Sequence, residues 1–419
     1  METLGAWVSP ACVLFLAREV SLSHTVRRLA SAILEPSAFR RTYRVAAAPN
    51  PLTGINVVGY FRAELGIAEV ARQILRGVDQ ASIPHSTLTY QRTRSRQEYP
   101  FQPRHSDRAP FDTNIICVNA DELSFFRRDV GEAFFRGRYS IGVWFWELGR
   151  FPQRLHPALA LVDEVWTASD FVRGAIAPAT AKPVHVVPLP IGEPAPVTLS
   201  RDQLDLPGGF LFLFTFDFLS VFERKNPLAV VHAFKRVFRP GEGASLLIKT
   251  MNGKRDVRTL RRLQAEADWP DIHVVDTYVS ASTKDAIIAA CDCYVSLHRS
   301  EGLGLTMAEA MARGKPVIAT GYSGNLEFMN EQNSYLVPFR PMRLAEQCGP
   351  YPAGEEWADP DIDAAAELMR RVYENREDAR TVGRAARDTL AAKYTVERTA
   401  TFIATRIGAI RQGPRDELA

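Results

Sequence analysis

The chain has 419 residues, of which 46% are hydrophobic and 24% are charged, and its formal net charge at pH 7 is +3. This length predicts two or three domains, and the composition is that of a soluble globular protein. The small charge excludes the strongly basic class of nucleic-acid-binding proteins, and no run of about 18 apolar residues predicts a membrane-spanning helix. The five cysteines are odd in number and form no C-x2-C pair. We therefore expect a reduced, cytoplasmic chain without a zinc site or a disulfide framework.

Residues 1–50 form an N-terminal extension. Leu4–Ala17 is fairly apolar, but Ser9 and Pro10 interrupt it, and it lacks the positively charged start of a signal peptide. A basic stretch follows it. Three interpretations stay open: a peripheral membrane contact, a helical extension packed on the next domain, or a start site assigned too early.

Residues 51–200 predict a first domain in which strands and helices alternate. Gly54–Tyr60 is an apolar strand, a loop ends at Gly66, and apolar residues then recur at helical spacing. Strand, glycine-containing loop and helix open a Rossmann-like unit, but the loop is not G-x-G-x-x-G, so dinucleotide binding is not indicated. The strands predicted after it are Asn114–Ala120, Ser140–Trp146, Glu164–Ala168 and Val184–Leu189.

Two polar features of this domain point toward a ligand. The stretch 91–108 has five arginines, two prolines and no periodicity. It predicts a loop that either serves an acceptor or membrane surface or is simply solvated. Glu147 follows the strand Ser140–Trp146, and a carboxylate at the C-terminal end of a parallel strand lies where α/β sheets bind ligands. An ion pair with Arg150 or Arg154 is the alternative.

A linker with four prolines between residues 188 and 196 leads to a second domain, residues 206–395. Phe210–Phe216 is an apolar run typical of a buried parallel strand. Helices then alternate with strands at Leu246–Lys249, Ile272–Val275 and Cys293–Leu297, and three helices are predicted at Asp359–Tyr373, Arg376–Tyr394 and Val396–Ile410. Two such halves predict an α/β protein with two Rossmann-like domains facing a cleft.

The stretch 300–324 carries the clearest chemistry. Gly302 and Gly304 let backbone amides approach a ligand, and Thr306 is placed to cap a helix over Met307–Arg313. Amides at a helix start favour an anion such as phosphate. The flanking carboxylates, Glu301 and Glu309, would repel phosphate and are better explained by hydroxyl groups. A phosphate with hydroxyls on both sides describes a nucleotide sugar, whereas an ordinary βα turn with solvated glutamates is the alternative.

Glu301 and Glu309 stand in the E-x7-E pattern EGLGLTMAEAMARGKPVIAT, with SGNLEF and NSYLV after it. This run resembles the signature of the retaining GT-B glycosyltransferases of family four, which include bacterial mannosyl- and glucosyltransferases. The resemblance covers about residues 54–410. It implies the GT-B fold, with a last helix, near residues 396–412, that crosses back to the N-terminal domain.

The resemblance also implies roles for residues around the donor. Glu301 would contact the hydroxyls of the donor sugar and Glu309 the ribose, while Lys225 would bind the diphosphate. Amides of the intervening loop would reach the sugar and the diphosphate. These loop residues are Gly302, Leu303, Gly304, Leu305 and Thr306.

Two family positions differ in this sequence. The arginine that usually precedes the lysine by five or six positions is replaced by Ser220 and Leu219. Arg224 or Lys249 would compensate, and we favour Lys249 because adjacent parallel strands present their C-terminal ends to one site. The cleft histidine of the family is also missing, so Glu147 would take the sugar or acceptor contact. Gly66 would lie where the backbone approaches the substrates.

These observations predict a retaining, metal-independent hexosyltransferase of polysaccharide biosynthesis without a bound cofactor. A GDP- or UDP-linked mannose or glucose would pass to a glycan or lipid-linked acceptor, in the cytoplasm or at the inner face of the plasma membrane. Glu301, Lys225 and Lys249 are the catalytic candidates.

Two alternatives remain. One is a glycosidase, although eight helical residues rise about 12 Å and glycosidase carboxylates lie about 5–9.5 Å apart. The other is an inactive GT-B-like subunit that binds a partner transferase, which the intact Glu301, Glu309 and Lys225 disfavour.

Overall fold

The computed structural model describes residues 46–104 and 108–413. The expected N-terminal extension lies outside these residues up to position 45. From Ala46 onward the chain belongs to the first strand, which starts eight residues before the predicted Gly54.

The first domain is built on a parallel sheet of six strands in the order β2-β1-β3-β4-β5-β6. The strands are β1 (Ala46–Gly59), β2 (His85–Thr89), β3 (Arg108–Ile116), β4 (Tyr139–Val143), β5 (Glu164–Thr167) and β6 (Val184–Val186). The helices are α1 (Gly66–Gln80), α2 (Ala120–Val130), α3 (His156–Leu159) and α4 (Asp170–Ile176). Because all strands run parallel, their C-terminal ends share one edge, which faces the second domain.

Several sequence-based boundaries of this domain are wrong. The strand predicted at Asn114–Ala120 ends at Ile116, and the strand predicted to reach Trp146 ends at Val143. The short edge strand β2 was not predicted, because HSTLT has little of the apolar character that marks a buried strand.

The second domain repeats the design with the strand order β12-β11-β10-β7-β8-β9. Its strands are β7 (Phe210–Asp217), β8 (Ala244–Met251), β9 (Ile272–Asp276), β10 (Cys293–Ser296), β11 (Val317–Thr320) and β12 (Tyr335–Val337). Its helices are α5 (Phe222–Lys225), α6 (Pro227–Val237), α7 (Val257–Glu266), α8 (Ala281–Ala290), α9 (Leu305–Ala312), α10 (Ile362–Glu374) and α11 (Arg376–Lys393). The phenylalanines of β7 are buried in its core, as the apolar run predicts.

An antiparallel hairpin of β13 (Phe339–Arg343) and β14 (Glu356–Pro360) extends from this domain and was not predicted. We call its connecting residues, 344–355, the hairpin tip.

The last helix, α12 (Val396–Gln412), returns to the first domain, as expected. It packs on α1, where a β-carbon at Gly77 would lie 2.5 Å from Thr399 Cγ2. Thr399 Oγ1 donates to the carbonyl of Pro188 at 2.5 Å. In the part of the chain that the structure describes, no helix combines the length and apolarity of a membrane span.

Arg406 of α12 pairs with Glu164 of β5, whose side chain is fully buried. The Glu164 carboxylate also accepts hydrogen bonds from Tyr139 Oη at 3.0 Å and Trp166 Nε1 at 2.6 Å. A buried carboxylate needs such partners because its desolvation is costly. This ion pair therefore stabilises the packing of α12 against the sheet of the first domain.

Arg406→Met should lower the free energy of unfolding by about 3–5 kcal/mol, because it leaves Glu164 buried without its cation. Urea denaturation at neutral pH measures the change. The control is Arg76→Met, which removes an exposed pair with Glu193 and should cost at most about 1 kcal/mol. Equal losses in both variants would contradict the role given to Arg406.

Candidate active site

The loop between β10 and α9 presents backbone donors to the cleft. Gly304 has a φ of +92°, a left-handed conformation that favours glycine, and α9 begins directly after it. The amides of Gly302, Leu303 and Gly304 donate to no protein acceptor among the described residues. These amides, with those of Leu305 and Thr306 at the start of α9, have no acceptor among the described residues and are free to bind an anion.

Thr306 does not cap α9, so that expectation is wrong. The helix begins one residue earlier, at Leu305, and Gly304 occupies the capping position without a side-chain bond. Thr306 lies in the first turn of the helix.

The loop is held in place by close backbone packing. Glu301 N donates to Ser323 Oγ at 2.8 Å, and Gly324 N donates to the carbonyl of Glu301 at 2.9 Å. A β-carbon at Gly324 would lie 2.2 Å from the Gly302 oxygen, so this position requires glycine. From the first domain, Ser169 Oγ donates to the same oxygen at 2.6 Å.

Two adjacent cations, Arg224 and Lys225, share the carboxylate of Glu301. Lys225 Nζ donates to Glu301 Oε1, and Arg224 Nη1 lies 3.2 Å from Glu301 Oε2. Arg224 Nη1 also donates to the carbonyl of Ser300 at 2.8 Å. Both cations lie in the short helix α5, which ends at Asn226 in a left-handed conformation. Asn226 Nδ2 donates to the carbonyl of Leu297 and so ties α5 to the end of β10.

Lys249 lies elsewhere, and our geometric reason for preferring it to Arg224 is wrong. Lys249 Nζ donates to the carbonyl oxygens of Thr250, at 2.9 Å, and Thr277. The strand order explains the difference, because β7 separates β8 from β10, which precedes Glu301. Arg224 and Lys225 meet at Glu301 because neighbours on one helical turn can flank the same group. A catalytic role for Lys249 stays a prediction.

The carboxyl of Glu301 stays ionised at neutral pH, while burial lowers the pKa of the Lys225 ammonium from its ordinary value. Burial raises the pKa of the Glu301 carboxyl, but Lys225, Arg224 and His298 lower it more, to about 2. Burial disfavours the charged Arg224 guanidinium, but Tyr351, Glu301 and Glu147 outweigh it and raise its pKa above the ordinary value. The site therefore holds a carboxylate between the buried Arg224 and the partly buried Lys225.

Glu147 reaches this cluster from the first domain. Its Oε1 lies 3.8 Å from Arg224 Nη2, and its Oε2 accepts a hydrogen bond from Tyr351 Oη at 2.9 Å. The alternative pair with Arg150 or Arg154 is not formed: Arg150 approaches Glu355, and Arg154 donates to the carbonyl of Pro350. Contact between Glu147 and an acceptor stays a prediction.

The remaining candidates lie along the same cleft. Glu309 Oε1 accepts from Lys284 Nζ at 2.6 Å, while its buried Oε2 has no partner among the described residues. Gly66 begins α1, and a β-carbon there would lie 4.0 Å from Leu305 Cδ1. The structure thus places Gly66 opposite the start of α9. The ligand contacts of both residues stay predictions.

Sequence reasoning missed three residues of this region. Tyr351 lies in the hairpin tip, which has no periodic pattern. His298 is buried at the end of β10, and its Nε2 lies 3.1 Å from Asn325 Oδ1. Asp121 begins α2, and burial, with a smaller contribution from Glu147, raises its pKa. The rule that singled out Glu147, an acid just after a parallel strand, could also have found Asp121.

Within residues 46–104 and 108–413, no group of three His, Cys, Asp or Glu side chains could hold a metal ion.

Comparison with known proteins places these features in a family context. Residues 215–389, most of the second domain, match the sequence model of a family described as glycosyl transferases group 1. No curated protein matches the chain. Among solved structures, the chain is similar to sucrose-phosphate synthase (tll1590) from Thermosynechococcus elongatus, with a TM-score of 0.63, 15% identity, and 86% of this chain and 99% of that chain covered. It is also similar to Anabaena Alr3699/HepE, solved in complex with UDP and glucose, with a TM-score of 0.59, 16% identity, and 85% and 100% covered.

These likenesses extend over almost the full length of both solved chains and confirm the expected GT-B fold. The group 1 domain contains Glu301, Lys225 and the loop between β10 and α9. Together, the domain match and the fold support a GT-B glycosyltransferase.

Glu301→Gln should destabilise the protein at neutral pH, because it leaves Arg224 and Lys225 buried with less compensation. The pKa of Glu301 falls from 4.5 to about 2 on folding. Its ionisation therefore stabilises the fold fully above about pH 4.5, and this contribution is lost as the pH falls toward 2. The difference in unfolding free energy between wild type and variant should accordingly be largest near pH 7 and shrink in acid.

Urea denaturation between pH 3 and 7 measures this difference. Glu367→Gln, at an exposed position of α10, is the control and should change stability little at any pH. A Glu301→Gln deficit that stays constant from pH 7 to pH 3 would contradict the ion-pair account.

Proposed function

We propose that this protein transfers a hexose from a nucleoside diphosphate sugar to a hydroxyl group of an acceptor, with retention of the anomeric configuration. The observation that carries the proposal is the meeting of two cations, the buried Arg224 and the partly buried Lys225, with one carboxylate and free loop amides at the start of α9. This combination suits a diphosphate joined to a sugar, because it offers positive charge and an acceptor for hydroxyls together. Retention follows from the E-x7-E resemblance.

The departing diphosphate sets the chemical problem. The bond between the anomeric carbon and the diphosphate oxygen breaks, and a bond to the acceptor oxygen forms while the acceptor hydroxyl loses its proton. Arg224 and Lys225, with the amides of Gly302 and Leu303, lie where they would stabilise the negative charge that develops. A bound diphosphate would take over part of the attraction that both cations now direct to Glu301. The Glu301 oxygens would then accept hydrogen bonds from the sugar hydroxyls.

The same site supports a nucleotide-sugar donor. Glu309 Oε2, buried and unpartnered among the described residues, would accept a hydrogen bond from the ribose. The similarity to Alr3699/HepE, solved with UDP-glucose in one structure, supports a nucleotide-sugar donor. We propose UDP-glucose or GDP-mannose, with Leu303 to Thr306 around the sugar and diphosphate.

The acceptor side belongs to the first domain. We propose that a glycan or lipid-linked acceptor enters along Gly66 and Glu147, as in polysaccharide biosynthesis in the cytoplasm or at the inner face of the plasma membrane. The two alternatives are less well supported. A glycosidase needs two carboxylates flanking one bond, whereas Glu301 and Glu309 are each paired with a separate lysine. An inactive subunit has no need of the buried cations.

Lys225→Ala and Arg224→Ala should each lower kcat/KM by about 10²–10³, because each removes a cation from the developing charge. Lys249→Met should lose less, since its ammonium is bonded to carbonyl oxygens. Release of UDP or GDP from UDP-glucose and GDP-mannose is the measurement. The control, Lys235→Ala, removes a partly exposed lysine of α6 whose ammonium also donates to backbone carbonyl oxygens, those of Glu266 and Asp268. A wild-type protein that releases no nucleoside diphosphate from either donor would refute the proposed function. A loss of kcat/KM in Lys249→Met as large as that in Lys225→Ala would instead support Lys249 as the second cation at the diphosphate.

Transfer should not require a divalent metal, because Arg224, Lys225 and the loop amides supply the positive charge that a metal otherwise provides. Activity should stay within about twofold after dialysis against EDTA. Complete loss in EDTA, with recovery on adding Mg²⁺ or Mn²⁺, would show that the proposed cation site is insufficient.

A further inference from the structure

Arg224 lies between carboxylates that come from different domains. Its residue surface is 6% exposed, with Glu301 of the second domain 3.2 Å from Nη1 and Glu147 of the first domain 3.8 Å from Nη2. A buried guanidinium is stable only when such partners offset its desolvation. The position of Arg224 therefore depends on both carboxylates.

The hydroxyl of Tyr351 fixes the second of these carboxylates. It donates to Glu147 Oε2 at 2.9 Å, which leaves Oε1 facing Arg224. The Tyr351 side chain is buried between the rings of Trp146, at 5.5 Å, and Trp357, at 5.2 Å. Its orientation is therefore set by packing from both domains.

The hairpin tip that carries Tyr351 docks on the residues that follow β4. Arg154 Nη2 donates to the carbonyl of Pro350 at 2.7 Å, and Arg150 lies 3.8 Å from Glu355. Within the tip, Cys348 and Tyr351 exchange two backbone hydrogen bonds, of 2.9 and 3.0 Å. The tip is thus a compact turn of the second domain held against the first.

We propose that Tyr351 and Glu147 are positioning residues for Arg224, and that they complete the diphosphate site only when the two domains are closed. The carboxylate of Glu147 attracts the Arg224 guanidinium and so weakens the interaction of Arg224 with Glu301. The Glu301 oxygens can then accept hydrogen bonds from the hydroxyls of the donor sugar. Tyr351 holds Glu147 in the orientation that does this. The inference rests on the proposed function, because it assigns Arg224 to the donor diphosphate, and it gives Glu147 a role other than acceptor contact.

Tyr351→Phe tests the inference because it removes one hydroxyl and keeps the ring packing. We expect kcat to fall about tenfold, the scale of a hydrogen bond to a charged group, with the acceptor KM unchanged. Glu147→Gln should show the same pattern. Because Tyr351 acts through Glu147, the double variant should lose no more activity than the more affected single variant.

The matched control is Tyr373→Phe, which removes a hydroxyl that donates to the carbonyl of Glu242 at 2.7 Å. It should keep wild-type kcat. Thermal denaturation identifies misfolding, and if Tyr351→Phe does not fold, Glu147→Gln alone gives the test through kcat and the acceptor KM.

Wild-type kcat in Tyr351→Phe, additive losses in the double variant, or a raised acceptor KM in Glu147→Gln would each overturn the inference while the proposed function stands. If the wild-type protein itself releases no nucleoside diphosphate, the proposed function is wrong, and the inference about Tyr351 and Glu147 is wrong as well.

Discussion

The carboxylate of Glu301 is the group on which the cleft of this protein depends. It is buried, and among the residues that the structure describes it is the only carboxylate paired with both Lys225 and Arg224. Each of the three charges would be costly to bury by itself, because desolvation of an unpaired ion exceeds what most packing contacts return. Their mutual attraction makes the cluster stable, and it also keeps two cations together at a point where an anionic ligand can meet them.

The backbone has to bring these charges together, and it does so with two left-handed residues. Gly304 turns the chain into α9, so that the preceding amides face the cleft. Asn226 ends α5 and turns the chain into α6 at Pro227, which holds Arg224 and Lys225 in one helical turn beside Glu301. The site is therefore made from two tight turns at the C-terminal edge of the second sheet, where parallel α/β folds bind ligands.

The sequence predicts those parts of the molecule whose signal is local. The apolar run Phe210–Phe216 and the amphipathic pattern after Gly66 identify a strand and a helix, and the run from Glu301 to Glu309 identifies the loop between β10 and α9. The choice between Arg224 and Lys249 depends on strand order and on the rotation of a four-residue helix, neither of which a sequence pattern records. Tyr351 lies 204 residues from Glu147 along the chain, in a hairpin whose strands contain prolines and charged residues. No local rule could have joined them.

The two domains are connected in two ways: by the chain passages between them, and by side-chain contacts across the cleft. The chain passes between the domains twice, in the proline-rich linker and before α12, and these passages touch where Gly192 N donates to the carbonyl of Tyr394 at 3.0 Å. A β-carbon at Gly192 would lie 2.5 Å from the Leu390 oxygen, so the two segments are in close contact. On the cleft side, the domains meet through polar contacts such as Ser169 with Gly302 and Tyr351 with Glu147, and through the packing of the Tyr351 ring on Trp146. Because a net hydrogen bond is worth only about 0.5–1.5 kcal/mol, each of these polar contacts adds little by itself to the free energy that holds the two domains together at the cleft. The contacts of Glu147 that complete the charge cluster are therefore individually weak, whereas the two chain passages join the domains covalently.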